Sequence, residues 1–143
     1  MNHINYKIKT MIMGMMLALM SNVAFSEIAI VIHPDNNAEL TMEELAKIYL
    51  GKLKRFSNGN LAIPLDRSEG SDIRIRFLEN TVGKDETKMK SYWSRLIFTG
   101  KGIPPKIVET DEEVKELVSR NPDIIGYIDS QSVDETVKVI IRF

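Results

Sequence analysis

Apolar residues fall along this chain in two patterns: short continuous runs, and stripes that recur every three or four positions. The runs read as strands and the stripes as amphipathic helices. The first run, Ile28–Ile32, is unbroken and mostly β-branched, as in a strand covered on both faces of a sheet. His33 and Pro34 end it, and His33 there reads as structural. Thr41 and Glu44 form a capping box, Leu45, Ile48 and Tyr49 make the stripe of a helix, and Gly51 suits its left-handed stop. Lys52, Lys54 and Arg55 follow as a solvated cationic helix end. The second run covers 61–65, with Pro64 marking an edge or a strand end. The spacing of Ile73, Phe77 and Leu78 predicts a helix over 72–81. Met89, Trp93, Leu96 and Ile97 predict a third helix, starting after Asp85 and reaching Phe98, with Trp93 in the core. Gly100 to Pro105 read as a loop. Thr110 and Glu113 form a second capping box, with Val114, Leu117 and Val118 as the stripe, and Asn121-Pro122 stops that helix. The run 124–128 is a strand broken by Gly126, where a neighbour comes close. The last run, 137–143, alternates, and sets Val137, Val139, Ile141 and Phe143 on one face against Lys138 and Arg142. Strands alternating with helices imply an α/β domain with a mixed sheet flanked by helices, of about four or five strands and four helices.

The first 26 residues stand apart. Lys7 and Lys9 precede an apolar stretch, 11–20, that is too short to span a bilayer as a helix. Ala24 and Ser26 then give the small-x-small pattern of a cleavage site. The expectation is a signal peptide over 1–26, cleavage before Glu27, export to the periplasm, and no membrane span after cleavage. The rest, 27–143, is expected to be one domain.

Composition narrows the chemistry. The net charge is −1, which gives no pull toward nucleic acid. There is no cysteine, so disulfides, thiol catalysis and cysteine–zinc sites drop out. His3 and His33 are the two histidines, and His3 lies in the targeting segment. No cofactor or metal is expected. Asp66, Glu69 and Asp72 are acids close together, but no nucleophile or matched base accompanies them, so enzymatic activity is not expected.

One stretch carries candidate chemistry: Asp66-Arg67-Ser68-Glu69-Gly70-Ser71-Asp72-Ile73-Arg74. A strand end, a small-residue loop and a helix start meet here. Free N–H groups and the positive end of the helix dipole favour an anion. Arg67 adds a two-pronged donor that fits phosphate or carboxylate oxygens. Ser68 and Ser71 can donate, and Gly70 lets the backbone approach a ligand. Two readings follow: an oxyanion site, or a capped helix start with a surface Arg–Glu pair.

Several stretches together resemble the phosphate-type solute-binding proteins of ABC importers. They are Ile28 to Pro34, Leu40 to Leu45 with Ile48 to Lys52, the Arg67-Ser68-Glu69-Gly70-Ser71 loop with Arg74, and Asn121 to Ile128. Tyr92-Trp93 through Gly102 and Pro104-Pro105 are similar to a short-chain branch of that superfamily. The resemblance implies a type 2 periplasmic-binding fold, in which two α/β lobes close on the anion. This chain matches mainly the second lobe, and a counterpart of the first is not expected. It implies that Arg67, Ser68, Glu69, Gly70 and Ser71 bind the ligand, with the Glu69 carboxylate helping to hold Arg67. Asp72 and Ile73 depart from the pattern, standing where the family has Gly and Thr. That removes a hydroxyl donor and adds a negative charge, which disfavours a dianion.

The resemblance thus implies a periplasmic protein that binds phosphate or a similar oxyanion, with an inner-membrane transporter or a periplasmic sensor as partner. Asp72 and the single lobe favour the alternative, a non-transport interaction or sensing module that no longer holds phosphate tightly.

Overall fold

A computed structural model describes residues 26–143. The expected targeting segment lies outside the described residues, Ser26 excepted. Among the described residues, a five-stranded mixed sheet, in the order β3-β2-β4-β1-β5, carries four helices. The elements are β1 (Ile28–Ile32), α1 (Met42–Tyr49), β2 (Ile63–Arg67), α2 (Asp72–Thr81), α3 (Glu86–Phe98), β3 (Lys106–Val108), α4 (Asp111–Arg120), β4 (Ile124–Asp129) and β5 (Lys138–Arg142), with a 3-10 turn at Ser130–Ser132. This is the α/β architecture that the alternation of patterns predicts.

The core lies on both faces of the sheet. Ile28, Ile30 and Ile32 of β1 pack with the stripes of α1, α2 and α3, while Ala29 and Val31 pack with Val114 and Val118 of α4. All five β1 residues are buried, which explains the run's lack of polar alternation. Tyr49, Phe77 and Tyr127 meet at the centre, with Phe77 stacked on Tyr127 at 3.9 Å between centroids. Trp93, on the α3 stripe, is buried in the same core cluster. Gly126 sits under α4: a Cβ there would lie 2.6 Å from Val114 Cγ1, so only glycine lets the helix approach.

Four local expectations change. The second strand is not 61–65 but Ile63–Arg67. Leu61 only bridges to Arg55, and regular pairing begins where Ile63 meets Ile124. Pro64 precedes the stretch that pairs with β3, which starts at Leu65, so it sits near a strand end. The second capping box closes one residue early: Thr110 accepts from the Glu113 N–H, but the Glu113 carboxylate accepts from Glu109, not Thr110. The last strand is split by a bulge. Ile30 pairs with Ile141 and Val31 with Val139, which leaves Ile140 extra. Val137 and Val139 therefore face α4, while Ile140, Ile141 and Phe143 face the other layer. Finally, β3 occupies the edge of the sheet just after the expected loop.

Candidate functional site

The structure places Arg67 at the end of β2, not in the loop. Alternation along the strand then sends Asp66 and Arg67 to opposite faces. Asp66 is buried on the Tyr127 side, where its Oδ1 accepts from the Tyr127 hydroxyl and from the Arg67 N–H. Its Oδ2 accepts from Arg74 Nε at 3.1 Å. Arg67 is buried on the α4 side. Its Nη1 donates to Asp111 Oδ1 at 2.6 Å and its Nη2 to the Glu109 carbonyl at 2.8 Å. The other oxygen of Asp111 accepts from Ser132 Oγ and the Asp129 N–H. Arg67 Nε is buried with no partner.

The loop residues take different roles. Ser71 Oγ donates back to the Ser68 carbonyl at 2.7 Å, so Ser71 does not cap α2 with its side chain. Thr41, Asp85 and Thr110 do cap α1, α3 and α4. The N–H groups of Asp72, Ile73 and Arg74, in the first turn of α2, lack intrahelical partners. Gly70 has φ +82° with open space around its Cα, so the turn itself requires glycine. Its N–H donates to both oxygens of Glu86, at 2.9 and 3.1 Å. Glu69 is exposed and lies 3.8 Å from Lys90, so Asp111, not Glu69, holds Arg67. The Asp72 carboxylate turns down its helix to Arg76 Nε at 2.9 Å.

Arg74 joins the two halves of this network, donating to Asp66 and, through Nη1 at 2.7 Å, to Glu86. Burial works against the charge on Glu86, but the Gly70 N–H and Arg74 outweigh it and hold its pKa below the usual carboxylate range. Burial also opposes the charge on Arg74, and Asp66 and Glu86 overcome that and raise its pKa. Burial, reinforced by the neighbouring Asp66, pushes the Tyr127 hydroxyl far above its ordinary pKa, so it serves as a neutral donor. Three carboxylates, Asp66, Glu86 and Asp111, thus face two guanidiniums. Glu86 and Asp111 complete a cluster of which the motif already holds Asp66, Arg67 and Arg74. A charged residue in the first turn of a helix was the available signal for Glu86 and Asp111.

Among the described residues, no group of three or more histidines or acids could hold a metal ion. Among them, too, no helix is long and apolar enough to cross a membrane.

No family model matches the chain, and no curated protein matches it. Solved structures do. An ABC-type phosphate transport receptor from Vibrio cholerae superposes with a TM-score of 0.62 at 24% identity, over 80% of this chain and 46% of the receptor. A phosphate-bound ABC transporter substrate-binding protein from Clostridium perfringens gives the same TM-score, 0.62, and the same 24% identity, over 80% of this chain and 45% of that one. PstS from Borrelia burgdorferi gives 0.57 at 18% identity, over 80% of this chain and 47% of PstS. The chain therefore has the fold of a lobe of the phosphate-transport substrate-binding proteins. It spans less than half the length of the structures it matches.

Proposed function

We propose that this protein is a periplasmic oxyanion-binding lobe of the phosphate type, exported by a signal peptide over 1–26. One observation carries the reading. On a fold shared with a phosphate-bound substrate-binding protein, α2 begins without a side-chain cap beside the 68–71 loop, which leaves its first N–H groups without an intrahelical or capping partner. The ligand is phosphate or a similar oxyanion, held by those amides, by the Ser68 hydroxyl, by the Ser71 hydroxyl once it turns from the Ser68 carbonyl, and by the charge of Arg67. Glu69 and Gly70 shape the loop. Binding is weak, because the described residues offer one wall of a cleft and the anion stays partly hydrated. A second copy or a partner supplies the other wall. An inner-membrane transporter or a periplasmic sensor is the partner this role needs.

Calorimetry with phosphate and with sulfate tests the reading, on the wild type and on Arg67→Ala. Weak, saturable binding that disappears in Arg67→Ala supports it. Heat that is unchanged in the variant overturns it.

The ion pairs favour a second reading. Both arginines of the site already hold internal carboxylates, as a structural element requires. On this reading the chain is a docking or sensing module without phosphate affinity. It predicts no heat with either anion.

A further inference from the structure

We propose that a second site, at the opposite ends of β2 and α3 from the oxyanion loop, binds an organic anion: an apolar body carrying one carboxylate or sulfonate. The site is a cavity of about 550 Å³ that opens into a groove of about 410 Å³, and the two share Lys54, Ala62, Pro64, Ile103 and Pro105. Volumes of this order suit small-molecule ligands.

The apolar part of the argument rests on Trp93 and its glycines. The indole forms part of the wall, with Gly51 and Gly102 against it. Gly51 needs its glycine for a φ of +70°. Gly102 does not, because its φ is not positive. A Cβ at Gly102 would lie 3.2 Å from Trp93 Cζ3, so the missing side chain keeps the indole edge clear. Ile103 lines both spaces and is 90% exposed, an uncovered large apolar residue beside a cavity.

The charge is equally one-sided. Lys54 and Lys101 line the cavity, Lys106 lines the groove, and no acid lines either. Among the described residues these three ammonium groups make no ion pair, although the whole chain has 20 acids to 19 bases. Lys106 blunts the edge strand, a common use of lysine. Lys54 and Lys101 lie on loops, where that explanation does not reach. Apolar walls give a small hydrated anion such as phosphate too few donors, and an unpaired cationic rim favours an anion over a neutral ligand. An amphipathic organic anion meets both conditions.

The test uses 8-anilinonaphthalene-1-sulfonate with the full exported protein. Trp93 is the chain's single tryptophan and lines the cavity, so its quenching follows binding, and the lysine substitutions and phosphate competition assign that binding to a site. Saturable quenching of Trp93 is expected, and Lys54→Gln/Lys101→Gln is expected to weaken the affinity by about tenfold or more, as loss of charge-assisted contacts implies. Both lysines are exposed, so the variant should keep the wild-type circular dichroism and melting curve. The neutral analogue N-phenyl-1-naphthylamine is expected to bind more weakly and to ignore the substitutions. Absence of saturable quenching overturns the proposal. So does equal affinity in the double variant, which would mean simple apolar adsorption, or displacement of the probe by millimolar phosphate, which would place it at the oxyanion loop.

Discussion

Glu86 turns both carboxylate oxygens onto the N–H of Gly70, at 2.9 and 3.1 Å. The first turn of α3 thereby supplies an anion to the loop that precedes α2. On the proposed oxyanion reading, the ligand has to find donors beside this resident carboxylate, among the amides of Asp72, Ile73 and Arg74. Glu86 also holds Arg74, whose charge would otherwise add to the field at the loop. Glu86→Gln keeps the shape and removes the charge. It is expected to destabilise the protein by about 1.5–3 kcal/mol, the range for hydrogen bonds to charged groups, and to raise phosphate affinity. Urea denaturation and a phosphate titration of the variant measure the two effects, and unchanged affinity would mean the carboxylate does not compete.

The same pair sets a pH dependence. The pKa of Glu86 is lower in the folded state than in the unfolded chain, where it is near 4.3. Its contribution to stability is therefore complete above about pH 5 and fades as pH falls through the folded value. Asp134 behaves alike: Lys115 and Thr136 hold it at about 2. Its contribution is lost between the unfolded value near 3.9 and pH 2. Thermal melts from pH 7 to pH 2 should show a decline that is shallower in Glu86→Gln, and carbon-13 titration of the Asp134 carboxyl should centre near 2.

Arg67 and Asp111 form a buried pair, with side chains 8% and 15% exposed. Removing one member strands the other. Arg67→Ala is expected to cost about 3–5 kcal/mol, whereas replacing both by apolar residues of similar volume is expected to cost much less. Chemical denaturation of Arg67→Ala, Asp111→Leu and Arg67→Met/Asp111→Leu makes the comparison. A double variant as unstable as the singles would show that Arg67 stabilises through contacts beyond this pair.

These relationships divide what the sequence discloses from what it hides. The bounds of α2 and α3 were legible because helix ends depend on neighbours a few residues away, as Asp85 and Lys88 show. Gly126 was legible as a close approach because an interrupted apolar run has few other meanings. The extent of β2 was not, because its pairing with Ile124 and Ile125 joins distant parts of the chain. The bulge at Ile140 was hidden for the same reason: alternation fixes a face only while the register holds. The Arg67 loop could be found from its own residues, but the partner of Arg67 lies 44 positions away. No local pattern distinguishes Asp111 from the other acids of its helix start.

Trp93 and Gly126 give the packing predictions. Trp93→Ala is expected to cost about 3–5 kcal/mol, the range for large aromatic truncations in cores. Gly126→Ala drives a methyl into Val114 Cγ1 and is expected to cost about 1–3 kcal/mol. Denaturation midpoints check both. A neutral Gly126→Ala would show that α4 shifts freely on the sheet.

Asp72 gives the sharpest test of the oxyanion reading. It occupies the first position of α2, where its own N–H and those of Ile73 and Arg74 have no intrahelical partner. A carboxylate there repels a dianion, and its pairing with Arg76, at an exposed surface, screens that charge only in part. The same carboxylate favours the helix through the dipole, so removing it has a structural cost. Asp72→Gly is expected to destabilise the protein by about 1 kcal/mol or slightly more, since glycine is also a weak helix former. Against that loss, phosphate affinity is expected to rise, because nothing else in the substitution touches the free amides. Asp72→Asn separates the effects: it keeps the side chain, removes the charge, and should gain affinity with a smaller loss of stability. Amide shifts in a phosphate titration, followed for residues 68–74 in the wild type and both variants, decide the matter. Shifts centred elsewhere, or affinities that fall when Asp72 loses its charge, would rule out this helix start as the place where an oxyanion binds.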